Sequence, residues 1–182
     1  MTRHTGKVFC IGRNKTGTTS LKHVLESHQY TIGDQSKAEL LIQAYAKRNF
    51  KRIARYCNSA QAFQDIPFSL PHLYVYLDNH FPKSKFILSV RSSPEEWYNS
   101  LVNFHVDKFD SNKSLPTKTD IYNKKHLMKS YRIHNQQVKD YFRHKNNLLV
   151  LNLSQENSYR RLCKFLGLEQ IFQTMPQLNK AQ

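Results

Sequence analysis

Apolar residues fall into two alternating spacings along this chain. Short unbroken runs at 7–11 (KVFCI), 85–90 (KFILSV) and 148–153 (LLVLNL) read as strands buried on both faces, the first bounded by Gly6 and Gly12. Residues 61–65 (QAFQD) read as a further short strand, stopped by Pro67. Between these runs the spacing is helical. Leu21, Val24, Leu25 and His28 share a face after the first strand, and Leu40, Leu41, Ala44 and Tyr45 do so within a helix expected from 36 to about 54. Leu73, Leu77 and His80 or Phe81 form the stripe of a helix over 70–81, which Pro82 ends. Pro94 and the acidic pair Glu95 and Glu96 mark the start of a helix reaching about 106, with proline suiting a first turn and carboxylates the positive helix end. The polar stretch 107–119 holds Pro116 and reads as a mobile loop. Tyr131, His134, Val138 and Tyr141 line one face of a long helix over 120–144, and a last helix from about 156 to 166 is closed by Gly167 at its C′ position.

Short strands alternating with helices predict an α/β, three-layer αβα domain with a mainly parallel central sheet, spanning 1–182 as one unit. Ligands of such sheets lie at the carboxyl ends of the strands, and two of those ends carry unusual residues. After the first strand comes GRNKTGTTS (12–20), a compact loop leading straight into a helix. A turn of this kind aims main-chain N–H groups and the positive helix end at an anion. Lys15 adds a mobile charge, Thr16, Thr18, Thr19 and Ser20 add hydroxyls, and Gly17 allows the main chain to approach a phosphate closely. The arrangement is P-loop-like without being a Walker A sequence: aligned on Gly12 and Gly17, that pattern needs lysine where Thr18 stands. The plainer reading is a Thr-rich helix cap with chance lysines nearby. At the second strand end Arg91 follows directly, and Ser100 lies nine residues on, inside the next helix. A guanidinium fork and a hydroxyl suit capture of a second phosphate; the alternative is an arginine capping the sheet edge and a serine facing solvent.

KTGTTSL (15–21) resembles the 5′-phosphosulfate loop of the PAPS-dependent sulfotransferases, a pattern close to PKTGTTSL or GRTGTTSL. Its lead-in VFCIGRN is similar to that of the small soluble sulfotransferase-domain proteins, with Asn14 where proline is usual. RSSPEEWYNS (91–100) resembles the family's 3′-phosphate motif, roughly VRDSPExWYxS, with Ser92 in place of Asp. The two motifs stand in the family's order, about 75 residues apart, and YRIHNQQVKDYF, LLVLNL, YRRLCKFLGLEQ and PQLNK continue the likeness more weakly. The resemblance implies a sulfotransferase that uses 3′-phosphoadenylyl sulfate (PAPS) and releases adenosine 3′,5′-bisphosphate; no metal is expected, since a sulfuryl group carries less charge than a terminal phosphate and the sequence offers no obvious metal cluster. It places Lys15 at the bridging or sulfuryl oxygens, residues 16–20 around the 5′-phosphate, and Arg91 and Ser100 on the 3′-phosphate, with Lys180 as a further contact. Sulfuryl transfer, like phosphoryl transfer, is an in-line displacement that also needs a base for the acceptor proton. Asp65, with Pro67, matches an Asp-x-Pro of the small members and is the candidate base; a cap on the helix beginning near Leu70 is the alternative. His72, His105 and His134 are other candidates, Tyr131 and Arg132 are candidate nucleotide contacts, and Trp97 and Tyr98 read as core packing.

Charge changes the picture in one respect. With 28 Lys+Arg against 13 Asp+Glu, the formal net charge is +15, which suits a polyanionic donor, an acidic saccharide acceptor or a nucleic acid. The basic residues are spread along the chain and no nucleic-acid motif appears, so a basic nucleic-acid-binding module is the weaker alternative. A P-loop kinase-like protein lacks its lysine. The expected partner is a small-molecule or saccharide acceptor, acidic ones included, and no nucleic acid. Cys10, Cys57 and Cys163 are far apart and odd in number, as reduced thiols of a cytoplasmic protein would be. The sequon at Asn14 lies in the phosphate loop, where a glycan could not be tolerated. No apolar run has the length of a signal peptide or a membrane span, so a soluble cytoplasmic protein is expected.

Overall fold

The computed structural model describes residues 6–109, the last five by main chain alone, and 123–178. Of the loop expected over 107–119, residues 107–109 instead continue the helix that begins at Pro94, and 110–119 lie outside the described residues, as do the His105 side chain and Lys180. Among the described residues four parallel strands form the sheet: β1 (Val8–Cys10), β2 (Ala62–Phe63), β3 (Lys85–Val90) and β4 (Leu148–Asn152), in the order β2-β1-β3-β4. Phe9 pairs with Phe86 and Cys10 with Ile87, so the chain leaves β1 and β3 side by side at their carboxyl ends.

The period of two along the strands divides the core into two layers. Phe9, Ile11, Phe86 and Leu88 face one side with Phe63 and Phe68, under α3 (Ile42–Ala46), α4 (Phe50–Tyr56), α5 (Leu73–His80) and α7 (Lys124–Tyr141), whose Val138 is fully buried. Val8, Cys10 and Ile87 face the other side with Leu151, beneath Leu21, Val24 and Leu25 of α1 (Thr18–Ser27) and Tyr159, Leu162 and Leu166 of α8 (Ser158–Leu166). The segment after β1 thus turns to one face. The segment after β3, α6 (Pro94–Phe109) and then α7, turns to the other. Adjacent strands whose connections diverge leave a crevice at their carboxyl ends, the usual place of a ligand in such sheets. At the opposite end of β3 and β4, the buried carboxylate of Asp78 accepts hydrogen bonds from Tyr141 Oη (2.9 Å), Lys145 Nζ (2.5 Å) and Asn147 Nδ2 (2.7 Å), tying α5, the end of α7 and the start of β4 together.

The helices differ from the sequence expectation where short polar residues intervene. The single helix expected over 36–54 is three: α2 (Gln35–Glu39), α3 and α4. Asp34 caps α2 by accepting from Lys37 N (3.2 Å), and Asn49 caps α4 by accepting from Arg52 N (3.3 Å) after Arg48 has turned left-handed at φ 54°. Of its expected apolar face, Leu41 and Ala44 are buried but Leu40 is 73% exposed. The helix expected from 70 begins at Leu73, because Pro71 and a left-handed His72 (φ 61°) precede it. The long helix starts at Lys124, where Asn123 accepts from His126 N (3.1 Å).

Candidate active site

The loop after β1 is wedged against β3. Gly12 is required there, since a Cβ at this position would overlap the main chain of Ser89. The buried Thr16 hydroxyl donates to Arg13 O (2.6 Å) and shares a 2.6 Å hydrogen bond with Ser89 Oγ, so it holds the turn to the neighbouring strand rather than facing a ligand. Lys15 (φ 69°) and Gly17 (φ 96°) are both left-handed, and the chain folds back into α1 at Thr18. At Gly17 a side chain would also press within 2.8 Å of Leu153 Cδ2. No acidic residue sits in the first turn of α1 and no side chain caps it, which leaves the positive helix end directed at the crevice. Thr18 is buried and hydrogen-bonded to the Asp65 side chain, and Thr19 is exposed. Ser20 Oγ, also buried, accepts from Leu178 N (3.2 Å), which draws the C-terminal strap over the start of α1.

The end of β3 meets this loop directly. Arg91 Nε donates to Lys15 O (2.8 Å), and its two terminal nitrogens donate to Glu96 Oε1 (3.3 Å) and Ser100 Oγ (3.4 Å). Arg91 and Ser100, nine residues apart in sequence, therefore form one corner of the crevice with the main chain of Lys15. Ser92 accepts at its hydroxyl from Asn152 Nδ2 (3.0 Å) and donates its N–H to Glu96 Oε2 (3.0 Å), fixing the turn.

Behind both segments lies an aromatic pair: Trp97 is buried, as expected, while Tyr131, expected as a nucleotide contact, is buried too and lines neither cavity. Trp97 is stacked on Tyr131 with ring centroids 4.6 Å apart at 10°. Trp97 Nε1 donates to Asn14 O (2.9 Å), and Tyr131 Oη accepts from Arg91 N (2.9 Å). Neither ring is simple packing: one holds the loop after β1, the other the turn after β3, and the stack couples them. The usable sequence signal was chemical, because a buried indole or phenol needs a partner for its polar atom. Tyr98 is half-buried, with Lys124 Nζ 5.3 Å from its ring centroid.

Two adjoining cavities open at this corner. The larger, about 660 Å³, runs past Thr16, Ser20, Asn152 and Ser154 to Met175 and Pro176; the smaller, about 330 Å³, runs past Thr18, Gln35, Glu39, Asp65 and Ile66. Lys15, Gly17, Arg91, Ser100, Phe104 and Leu178 line both, and the Lys15 ammonium lies over the Phe104 ring. Asp65 is left-handed (φ 54°), and its side chain bonds Thr18 instead of capping α5, whose N-cap is His72. Burial lifts the Asp65 pKa above the ordinary carboxylate value and Glu39 lifts it further, while the Thr18 hydrogen bond and Lys15 act in the opposite direction. His72 and His134 line neither cavity. His134 is fully buried and donates from Nε2 to Ile11 O (2.9 Å); burial, then the Arg13 charge, hold its pKa down to about 4, so it stays neutral and supports β1. Arg132 instead meets Glu95 (3.4 Å) on the surface.

Among the described residues no group of His, Cys, Asp and Glu side chains is arranged to hold a metal ion, and no helix is long and apolar enough to cross a membrane. No curated protein matches the chain. A family model of the sulfotransferase domain matches residues 7–119 and 108–182, which takes in both strand-end segments, the Asp65 turn and the closing helix and strand. By that match and by its parallel αβα architecture, the chain belongs to the sulfotransferase domain family.

Proposed function

We propose that the protein transfers a sulfuryl group from PAPS to a hydroxyl or amine by in-line displacement. The observation that carries this reading is the 2.8 Å bond from Arg91 Nε to Lys15 O: two cationic segments distant in sequence form one wall shared by two cavities. A ligand with separate anionic groups fits such a wall. The glycine at 17 keeps the loop clear where a side chain would collide with Leu153, and the larger cavity has nucleotide dimensions. In this reading Lys15 and the start of α1 receive the 5′-phosphosulfate. Thr16 takes part through its main chain, because its hydroxyl is spent on Arg13 and Ser89. Arg91 and Ser100 hold the 3′-phosphate.

The acceptor enters the smaller cavity, where Asp65 takes the proton from its hydroxyl as the new O–S bond forms. The S–O bond to the 5′-phosphate breaks, and the charge that develops on the leaving adenosine 3′,5′-bisphosphate is met by the Lys15 ammonium and the helix end. Calorimetry tests the assignment. Lys15→Ala and Arg91→Ala should each weaken adenosine 3′,5′-bisphosphate binding by about 2 kcal/mol, roughly 30-fold, as expected for a lost charge-assisted contact. Thermal shifts with that ligand should exceed those with ATP, NAD or inorganic phosphate; equal shifts for all four would leave only generic anion binding.

A further inference from the structure

One wall of the smaller cavity carries charge opposite in sign to that of the molecule, while Lys15 and Arg91 line the same cavity. On a chain of net charge +15, the wall contributed by α2 and the 65–66 turn carries two carboxylates, Glu39 and Asp65. This wall is built rather than incidental. The Gln35 side-chain amide donates both to Glu39 Oε1 (3.2 Å) and to Ile66 O (3.0 Å), so one side chain fixes α2 to the residue after Asp65. Tyr56 Oη donates to Asp34 O (2.7 Å) and secures the start of the same helix. Among the described residues no Lys or Arg forms an ion pair with Glu39. Ile66 and the Phe104 ring supply apolar surface in the same cavity.

Resting on the function proposed above, we infer that the acceptor is a hydroxyl compound bearing a cationic amine, with Glu39 as the residue that reads its charge. The amine itself is not the nucleophile, since an ammonium has no lone pair to offer sulfur. Its place is against Glu39, while the hydroxyl turns to Asp65 and gives up its proton there. An acidic acceptor, which the overall charge favours, would bring its carboxylate to this wall and be repelled. Glu39 is exposed, so water and salt weaken the effect, and discrimination of about ten-fold between cation and anion is the expected scale.

Three phenols of nearly one shape separate charge from fit: 4-(2-aminoethyl)phenol, 4-ethylphenol and 4-hydroxyphenylacetate. Their dissociation constants are measured by calorimetry against the full chain saturated with adenosine 3′,5′-bisphosphate. The amine should bind about ten-fold more tightly than the acid, with the neutral phenol between them, and Glu39→Gln should shrink that gap to about three-fold while the melting temperature stays unchanged. Three outcomes overturn the inference: the acid binding as well as the amine, the gap surviving intact in Glu39→Gln, or none of the three binding the complex. If the bisphosphate itself fails to bind wild-type protein, the sulfotransferase reading falls and this inference falls with it. If it binds and the charge order is absent, only the inference falls.

Discussion

Tyr131→Phe is the most discriminating perturbation of the site, because it deletes one oxygen and leaves the ring stacked on Trp97. Tyr131 is 3% exposed and its Oη accepts the Arg91 N–H at 2.9 Å. Removing the acceptor leaves that N–H without this partner, at a cost of about 1–2 kcal/mol in stability. Part of this loss should appear in ligand binding, since Arg91 N belongs to the same residue whose guanidinium reaches Lys15 O and Ser100 Oγ. If the freed turn shifts the fork off the 3′-phosphate, about 1 kcal/mol of a charge-assisted contact is lost, a five-fold weakening for adenosine 3′,5′-bisphosphate. Adenosine 5′-monophosphate lacks the 3′-phosphate and should bind the variant within two-fold of wild type. Trp97→Phe makes the complementary cut: it removes the Nε1–H that holds Asn14 O, so both nucleotides should weaken alike. In an Arg91→Ala background, Tyr131→Phe should have no further effect on the bisphosphate, which is the signature of a group acting through another. Equal losses for both nucleotides in Tyr131→Phe, or an undiminished loss in the Arg91→Ala background, would refute the coupling.

Asp65→Asn should abolish transfer, leave bisphosphate affinity within about two-fold, and raise the melting temperature at pH 7. The folded-state pKa of Asp65 lies above its ordinary value, so the stability it contributes is complete below the carboxylate range and lost as pH rises through the raised value. Removing the charge recovers that loss, and asparagine tolerates the left-handed main chain at 65 well; a lower melting temperature would contradict the argument. By the same shift, the rate should fall as pH drops through the raised Asp65 value in a single-turnover pH profile. His134 has the opposite linkage: its folded pKa near 4 lies below the ordinary 6.5, so its contribution is present above 6.5 and is lost as pH falls toward 4. Urea unfolding should show about 2 kcal/mol lost to this group between pH 7 and pH 5, and His134→Gln should flatten that part of the profile.

The layering was legible because it depends on spacing alone. Unbroken apolar runs cannot sit in a half-exposed sheet, and the strand expected at 85–90 is β3 itself, Lys85–Val90. Residue type at the strand ends also marked out the corner where Arg91 meets Lys15 O and Ser100 Oγ. What stayed hidden depends on partners far away in sequence. Nothing local to Tyr131 shows that its oxygen meets Arg91 N, forty residues distant, or that Trp97 reaches Asn14 across eighty-three. The helix expected over 36–54 failed for a related reason. Its apolar spacing is genuine, but Asp34 and Asn49 offer the main chain competing hydrogen bonds and Arg48 adopts a left-handed turn, so the segment forms three short helices. Net charge was the least informative quantity, because it sums over a surface on which one wall carries the other sign.

Charge is also balanced within the corner itself, at Arg91. The guanidinium of Arg91 is about a quarter exposed and already engaged by three oxygens: a main-chain carbonyl, a carboxylate and a hydroxyl. All three belong to residues that line the cavities, so the fork is oriented before any anion arrives and little rotamer entropy remains to be lost on binding. Glu96 differs in kind. It offsets the Arg91 charge, yet it also accepts Ser92 N, whose residue is held from the other side by Asn152. The carboxylate is therefore anchored to the turn and cannot simply swing away when a phosphate enters. Under the proposed assignment an anion at Arg91 would share the fork with Glu96, which should lower raw affinity but favour a ligand whose second anionic group sits at Lys15 and the start of α1. On that assignment lone phosphate should bind this corner far more weakly than a nucleotide carrying two anionic groups, and equal affinity for the two in calorimetry would refute it.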